Sequence, residues 1–416
     1  MITLQRPGAL TALPPLSLYV HLPWCLRKCP YCDFNSHEVQ RALGREPIAF
    51  QGANDLVEPV GAARHLPAAT EQRYLDALCA DLESALPLIW GRRVHSVFIG
   101  GGTPSLFSPA GIDRLLADVR ARLPLDAQAE ITLEANPGTF EKDRFKAFRA
   151  SGVNRLSIGV QSFDDAKLKA LGRVHSRDQA IAAIEEALAC FDTFNVDLMY
   201  ALPGQSLADL NADLDQALAL QPPHLSLYHL TMEPNTVFAT RPPSGLPDED
   251  TAFDMLDVLA ARTAKAGLER YEVSAYARPG HRCWHNLNYW QFGDYLGIGA
   301  GAHGKLSFPD RIVRQVRWRD PATYMDKALQ GQACSNETPV SLTERPFEFM
   351  MNALRLKDGF ELERFAERTG LTLASIQQPL AEAEARGLLQ RDLHRAWPTE
   401  RGFDFLSDLQ SLFLKD

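Results

Sequence analysis

The chain lacks any run approaching about 18 consecutive apolar residues, so it offers no membrane-spanning helix. Nor does the opening stretch read as a secretory leader: residues 1–18 carry one arginine and are broken by Pro7, Pro14 and Pro15 before an apolar stretch can develop. Excess positive charge is absent, with 43 Lys and Arg against 52 Asp and Glu, and a formal net charge of -9 argues against a nucleic-acid binder. Cysteine is scarce and odd in number, seven in 416 residues, which excludes a small disulfide framework and fits a reducing cytoplasm. Nor is the composition that of a disordered chain, because hydrophobic residues make up 45% and charged residues 23%.

What is present is concentrated. Cys25, Cys29 and Cys32 fall within eight residues as C-x3-C-x2-C, directly after the apolar run Leu16 to Leu22. A zinc site would normally take four ligands from two separated pairs, and no second pair follows. Iron-sulfur clusters are held by thiolates, and three cysteines on a four-iron cube leave one iron open for chemistry. These three are the candidate metal ligands. The other four cysteines are scattered; Cys79 and Cys190 lie in amphipathic helical patterns and read as small buried apolar residues.

Leu16 to Leu22 reads as a strand feeding the cysteine loop, and residues 38–69 then lose all periodicity, as a surface insertion does. From Thr70 onward strand and helix patterns alternate. Tyr74, Leu78, Leu82 and Leu86 mark a helix face, and strands follow at Val94 to Ile99, Ile131 to Leu133, Arg155 to Val160, Val196 to Tyr200 and His224 to Leu230. Ser108-Pro109, Thr139, Ser176 and Ser206 with Asp209 read as helix starts, and Gly152 as a stop. Six such units predict an α/β fold, a partial parallel (β/α)6 barrel of the TIM-like kind, with functional side chains at the C-terminal strand ends. The expected division is a barrel over 1–310, a connecting segment over 311–337 and a last unit over 338–416. In that unit, helical patterns and a hairpin near 388–398 predict a winged-helix-like α+β shape.

With an aromatic just before its last cysteine, CLRKCPYC resembles the signature of the radical S-adenosylmethionine (SAM) superfamily. That resemblance implies a 4Fe-4S cluster whose open iron is chelated by SAM. Within the superfamily the whole chain is similar to the oxygen-independent coproporphyrinogen III oxidases and their sister branch of heme chaperones. Carried over by motif, Tyr19, Tyr31, the Gly101, Gly102 and Thr103 run, Glu134, Gln161, Arg173 and Asp197 match the SAM-contacting positions. Taken singly these residues are common loop polars, and it is the set that is specific.

Two departures separate the chain from the oxidases. Asp33 and Phe34 stand where the oxidase pattern has Gly and a fourth cysteine, and only 24 residues precede Cys25 where the oxidase carries an N-terminal arm. Thr231 and His303 fall where second-SAM contacts are expected, with differing identities. His285-Asn286-Leu287-Asn288-Tyr289-Trp290 matches the H-N-x-x-Y-W motif of the chaperone branch, and an imidazole among aromatics suits heme ligation. His285 is therefore the first candidate for the heme iron, with His281, His303 and Cys283 as alternatives.

The resemblance thus implies a heme chaperone that passes heme to acceptor hemoproteins such as respiratory enzymes at the cytoplasmic face of the membrane, with transient membrane association. An electron donor for the cluster follows from it, no nucleic acid is expected, and a homodimer is left open. The alternative is radical decarboxylation of coproporphyrinogen propionates. The retained SAM positions keep an enzyme reading open, although no residue is singled out as catalytic.

Overall fold

A parallel strand is covered on both faces, so its sequence must be apolar toward the helices whatever its other side does. The computed structural model describes residues 8–42, 66–139 and 143–414. Residues 43–65, most of the expected insertion, lie outside the described residues.

Strand β1 (Leu16–Leu22) is followed across the sheet by β2 (Val94–Gly101), β3 (Leu125–Ala135), β4 (Arg155–Gln161), β5 (Thr193–Tyr200) and β6 (His224–His229), each parallel to the last. This is the partial parallel (β/α)6 barrel; the strand order is linear and the sheet stays open. A short β7 (Ala275–Ala277) runs antiparallel along β6.

On the far side of β1 the sheet continues beyond the sequence expectation. There β8 (Asp294–Ile298) lies parallel to β1, and β9 (His303–Ser307), β10 (Ile312–Arg317) and β11 (Cys334–Pro339) add antiparallel strands. The glycine-rich run 297–304 spans the end of β8, the turn at 299–302 and the start of β9.

Local chemistry sets the helix ends. Ser108 accepts the Gly111 N–H with Pro109 in the first turn, and Ser176 and Ser206 close capping boxes with Gln179 and Asp209. The helix expected from Thr139 begins instead at Arg144 and stops on Gly152, whose φ of 103° is the left-handed conformation that glycine adopts freely. In the last unit, helices Arg345–Ala353, Leu362–Thr369 and Gln377–Ala385 accompany a three-stranded antiparallel sheet, the winged-helix-like arrangement. Its core joins the barrel through Phe292, which packs edge-on to Phe349 at 5.6 Å.

One buried knot holds the two halves of the large sheet in register. Asp81, on helix α1 (Ala68–Ala85), accepts hydrogen bonds from Arg317 Nε (2.9 Å), Tyr324 Oη (2.9 Å) and the Gly299 N–H (3.2 Å). Two helical turns away Tyr74 donates to the His21 carbonyl and accepts from the Ala300 N–H, both at 2.8 Å. Asp81 and Arg317 are almost fully buried, so removing one leaves the other as an uncompensated charge. Asp81→Ala should therefore lower unfolding free energy by about 3–5 kcal/mol in a urea titration, and a loss under about 1 kcal/mol would contradict this account.

Candidate functional site

Side chains alternate along a strand, so every second residue of the barrel strands faces the lumen. The lumen positions of β4 are Arg155, Ser157, Gly159 and Gln161; those of β5 are Asn195, Asp197 and Met199; those of β6 are His224, Ser226 and Tyr228. They line one cavity of about 530 Å³ whose opposite wall is the cysteine loop.

That loop is fastened on several sides. Trp24–Cys25 pairs with His37–Glu38, the His37 N–H donates to the Pro23 carbonyl, and the Phe238 N–H donates to the Pro30 carbonyl. Asn35 donates from Nδ2 to the Ala300 and Arg319 carbonyls at 2.9 and 2.8 Å, while its own carbonyl meets His21 Nε2 at 2.8 Å. The loop is thereby tied to the glycine-rich turn.

Cys25, Cys29 and Cys32 are free thiols and all face the cavity. Thr103 Oγ1 donates to Cys25 Sγ at 3.5 Å, Arg173 Nη1 to Cys29 Sγ at 3.8 Å, and Cys32 Sγ lies 3.9 Å from Ser36 Oγ. Burial pushes the Cys25 thiol up to about 12 and raises Cys32 as well. Among the described residues no three His, Cys, Asp or Glu stand close enough to hold a single ion. A cluster spreads its irons over a cube, and three free thiols around one cavity, with polar donors at the sulfurs, fit that donor set rather than a lone zinc.

Two glycines make the wall possible. A Cβ on Gly102 would stand 2.6 Å from the Trp24 carbonyl oxygen, so only glycine lets this strand end lie against the loop; its N–H donates to the Leu22 carbonyl at 2.8 Å. A Cβ on Gly159 would crowd Gln161 Nε2 and Arg173 Nη2, and Arg173 uses that space to donate to the Gly159 carbonyl at 2.6 Å. Gln161 itself has φ 72°, a left-handed conformation uncommon for a residue with a side chain, at the irregularity where β4 meets β5.

Glu134 accepts the Gly101 N–H at 3.0 Å, and burial together with neighbouring Asp197 pushes its carboxyl up to about 8. Asp197, raised by burial, accepts from Asn195 Nδ2 at 2.7 Å and Ser157 Oγ at 3.3 Å.

Of the residues the sequence points to, the three cysteines, Tyr31, Gly101, Gly102, Thr103, Glu134, Gln161, Arg173 and Asp197 line this one cavity. Tyr19, on β1, does not line the cavity; its ring lies 6.4 Å from that of cavity-lining Phe98 and its Oη 2.9 Å from His21 Nδ1. His285 does not reach the cavity. It sits 1% exposed on the short helix Trp284–Trp290, with Nδ1 3.0 Å from Ser96 Oγ, Nε2 3.0 Å from Tyr289 Oη and its ring 5.0 Å from Phe98. Burial lowers its pKa to about 3, so the imidazole is neutral. Its neighbour Asn286 faces the cavity instead. Among the alternatives, His303 is exposed at the start of β9, Cys283 is buried and donates to Glu130 Oε1 at 3.5 Å, and His281 is half-buried. Sequence reasoning missed Asn35 and the lower lumen residues Arg155, Asn195, His224 and Ser226.

Comparison with known proteins agrees with this geometry. Residues 19–217 match the Radical SAM superfamily and residues 340–405 the HemN C-terminal domain. The heme chaperone HemW of Escherichia coli (strain K12) is 47% identical over 406 residues, covering 97% of this chain and 99% of that protein. The heme chaperone HemW of Haemophilus influenzae is 43% identical with the same coverage. The mitochondrial radical S-adenosyl methionine domain-containing protein 1 of Bos taurus is 35% identical over 96% of this chain and 86% of its own length. The solved coproporphyrinogen III oxidase (HemN) of Escherichia coli superposes with a TM-score of 0.75 at 24% identity, over 96% of this chain and 90% of that one, a likeness of fold.

Glu134 gives a test of the site's electrostatics. Its folded value lies above its unfolded value, so the folded state favours the protonated acid: the contribution is full at low pH and is lost as pH rises toward about 8. Ligand-free protein should lose stability between about pH 5 and 8 relative to Glu134→Gln in paired thermal melts. Parallel profiles for the two proteins would overturn the assignment.

Proposed function

The chain belongs to the HemW family of heme chaperones, built on the radical SAM framework, and we propose from that membership that it binds heme and hands it to acceptor hemoproteins. The observation carrying the reading is the 47% identity to a heme chaperone over nearly the full length of both chains. The absent fourth cysteine after Cys32 and the H-N-x-x-Y-W helix support it over the oxidase reading.

Cys25, Cys29 and Cys32 would hold the 4Fe-4S cluster of the family. Tyr31, Gly101, Gly102, Thr103, Glu134, Gln161, Arg173 and Asp197 would surround SAM, with Tyr19 beside the wall residue Phe98. When bound, the pair supplies one-electron reduction at a sulfonium. The protein's part is to shape and dry the site: Arg173 and Thr103 donate toward sulfur, and the Gly102 backbone permits close approach.

For heme we propose His285 as the iron ligand. Its neutral imidazole is the ligating form, and it reaches a metal by exchanging the bond to Tyr289 or Ser96 for iron. That exchange requires the Trp284–Trp290 helix to shift, since the ring is buried where it stands.

After anaerobic reconstitution, the wild type should bind heme with a defined absorption band and show no coproporphyrinogen decarboxylation. His285→Ala should weaken heme binding at least tenfold while leaving the cluster spectrum intact, and Cys29→Ser should abolish the cluster absorption recorded before heme is added. Robust decarboxylation without heme binding would overturn the chaperone reading.

A further inference from the structure

Barrel interiors are ordinarily filled by branched apolar side chains. Here the lower lumen is polar, and nearly all of it is internally satisfied. Asn195 Oδ1 accepts from His224 Nδ1 at 2.6 Å and Ser226 Oγ at 3.0 Å, and its Nδ2 donates to Asp197 and Ser157. His224 Nε2 meets Tyr271 Oη at 2.9 Å, and burial lowers the His224 pKa well below its ordinary value, which favours the neutral ring.

Arg155 and its neighbour Thr132 are exceptions. Arg155 is 2% exposed, lines the cavity, and its Nε has no hydrogen-bond partner. The carboxylate beside it, Glu130, stays 3.9 Å from that Nε. Glu130 is already engaged, accepting from the Trp284 and His285 N–H groups at 3.2 Å and from Cys283 Sγ at 3.5 Å. In register with Arg155 on the adjacent strand, Thr132 is fully buried and its Oγ1 is also unpartnered.

Two adjacent orphaned donors, Arg155 lining the cavity and Thr132 buried beside it on the next strand, are costly unless a ligand completes them. A guanidinium is always charged and presents a planar fork that matches a carboxylate. The upper wall leaves this end free, since the groups that would surround SAM stand at the other ends of the strands.

We propose that Arg155, with Thr132 beside it, anchors a carboxylate of the bound tetrapyrrole, one propionate arm of heme reaching down the lumen. This rests on the heme-chaperone reading and adds to it the group by which the cargo is oriented. Burial pushes the Glu134 carboxyl up to about 8 and raises that of Asp197, which weakens the repulsion both exert on such an arm.

The test compares heme carrying free propionates with heme dimethyl ester on the full-length, cluster-reconstituted protein. The wild type should bind the diacid about tenfold or more tightly, the worth of a hydrogen bond to a charged group. Arg155→Gln should lose most of that preference, and Arg155→Lys should keep part of it. Should Arg155→Gln fail to fold, Thr132→Val leaves Glu130 untouched and should reduce the preference two- to threefold. A wild type that binds both forms equally, or an Arg155→Gln protein that keeps the preference, would overturn the anchor while leaving the chaperone reading intact. Failure of the wild type to bind either form would overturn that reading and the anchor with it.

Discussion

A polar side chain taken out of water must find a partner, and the inner face of this sheet is governed by that requirement. Ser17 meets Ser96, Ser96 meets His285, Asn195 gathers four neighbours, and Glu130 collects three donors from one helix start. The helices outside pack on the apolar side of the same strands and follow the ordinary rules of a parallel sheet. The two faces do different work: one supplies stability, and the other supplies a cavity whose wall chemistry survives burial because its members hold one another.

The short helix Trp284–Trp290 is where both roles meet. Glu130 holds its first turn, His285 fastens it to β2 through Ser96, and Asn286 reaches the cavity. A sequence motif that looks like a ligand set is, in this conformation, also the floor of the barrel. The imidazole proposed to bind iron is the one that fastens this floor, so under that proposal it can do only one at a time.

Most of the architecture was legible because its signals are local. The strand Leu16–Leu22, the serine caps and the stop at Gly152 each follow from residues within a few positions of one another. The extension by β8 to β11 was not, since its pairing with β1 joins residues almost 280 positions apart and depends on the remote knot at Asp81. The cysteine loop and the residues that share its cavity were picked out together through resemblance, and the placement of His285 was not, because nothing nearby in sequence indicates that Ser96 waits for it. The lower lumen did carry a readable sign that went unused. Arg-Leu-Ser-Ile-Gly-Val-Gln, Asn-Val-Asp-Leu-Met and His-Leu-Ser-Leu-Tyr alternate polar with apolar, where strands covered on both faces usually read as unbroken apolar runs.

Asn35 has a consequence for assembly. Because its amide and carbonyl tie the cysteine loop to the barrel through protein groups alone, the loop's path does not depend on iron to define it. Small metal domains commonly fold only as the metal arrives, and part of the binding free energy is then spent on ordering the chain. A socket braced from behind escapes most of that cost, so an iron-sulfur cluster built elsewhere could be received whole, by ligand exchange onto three waiting thiols, without refolding its host.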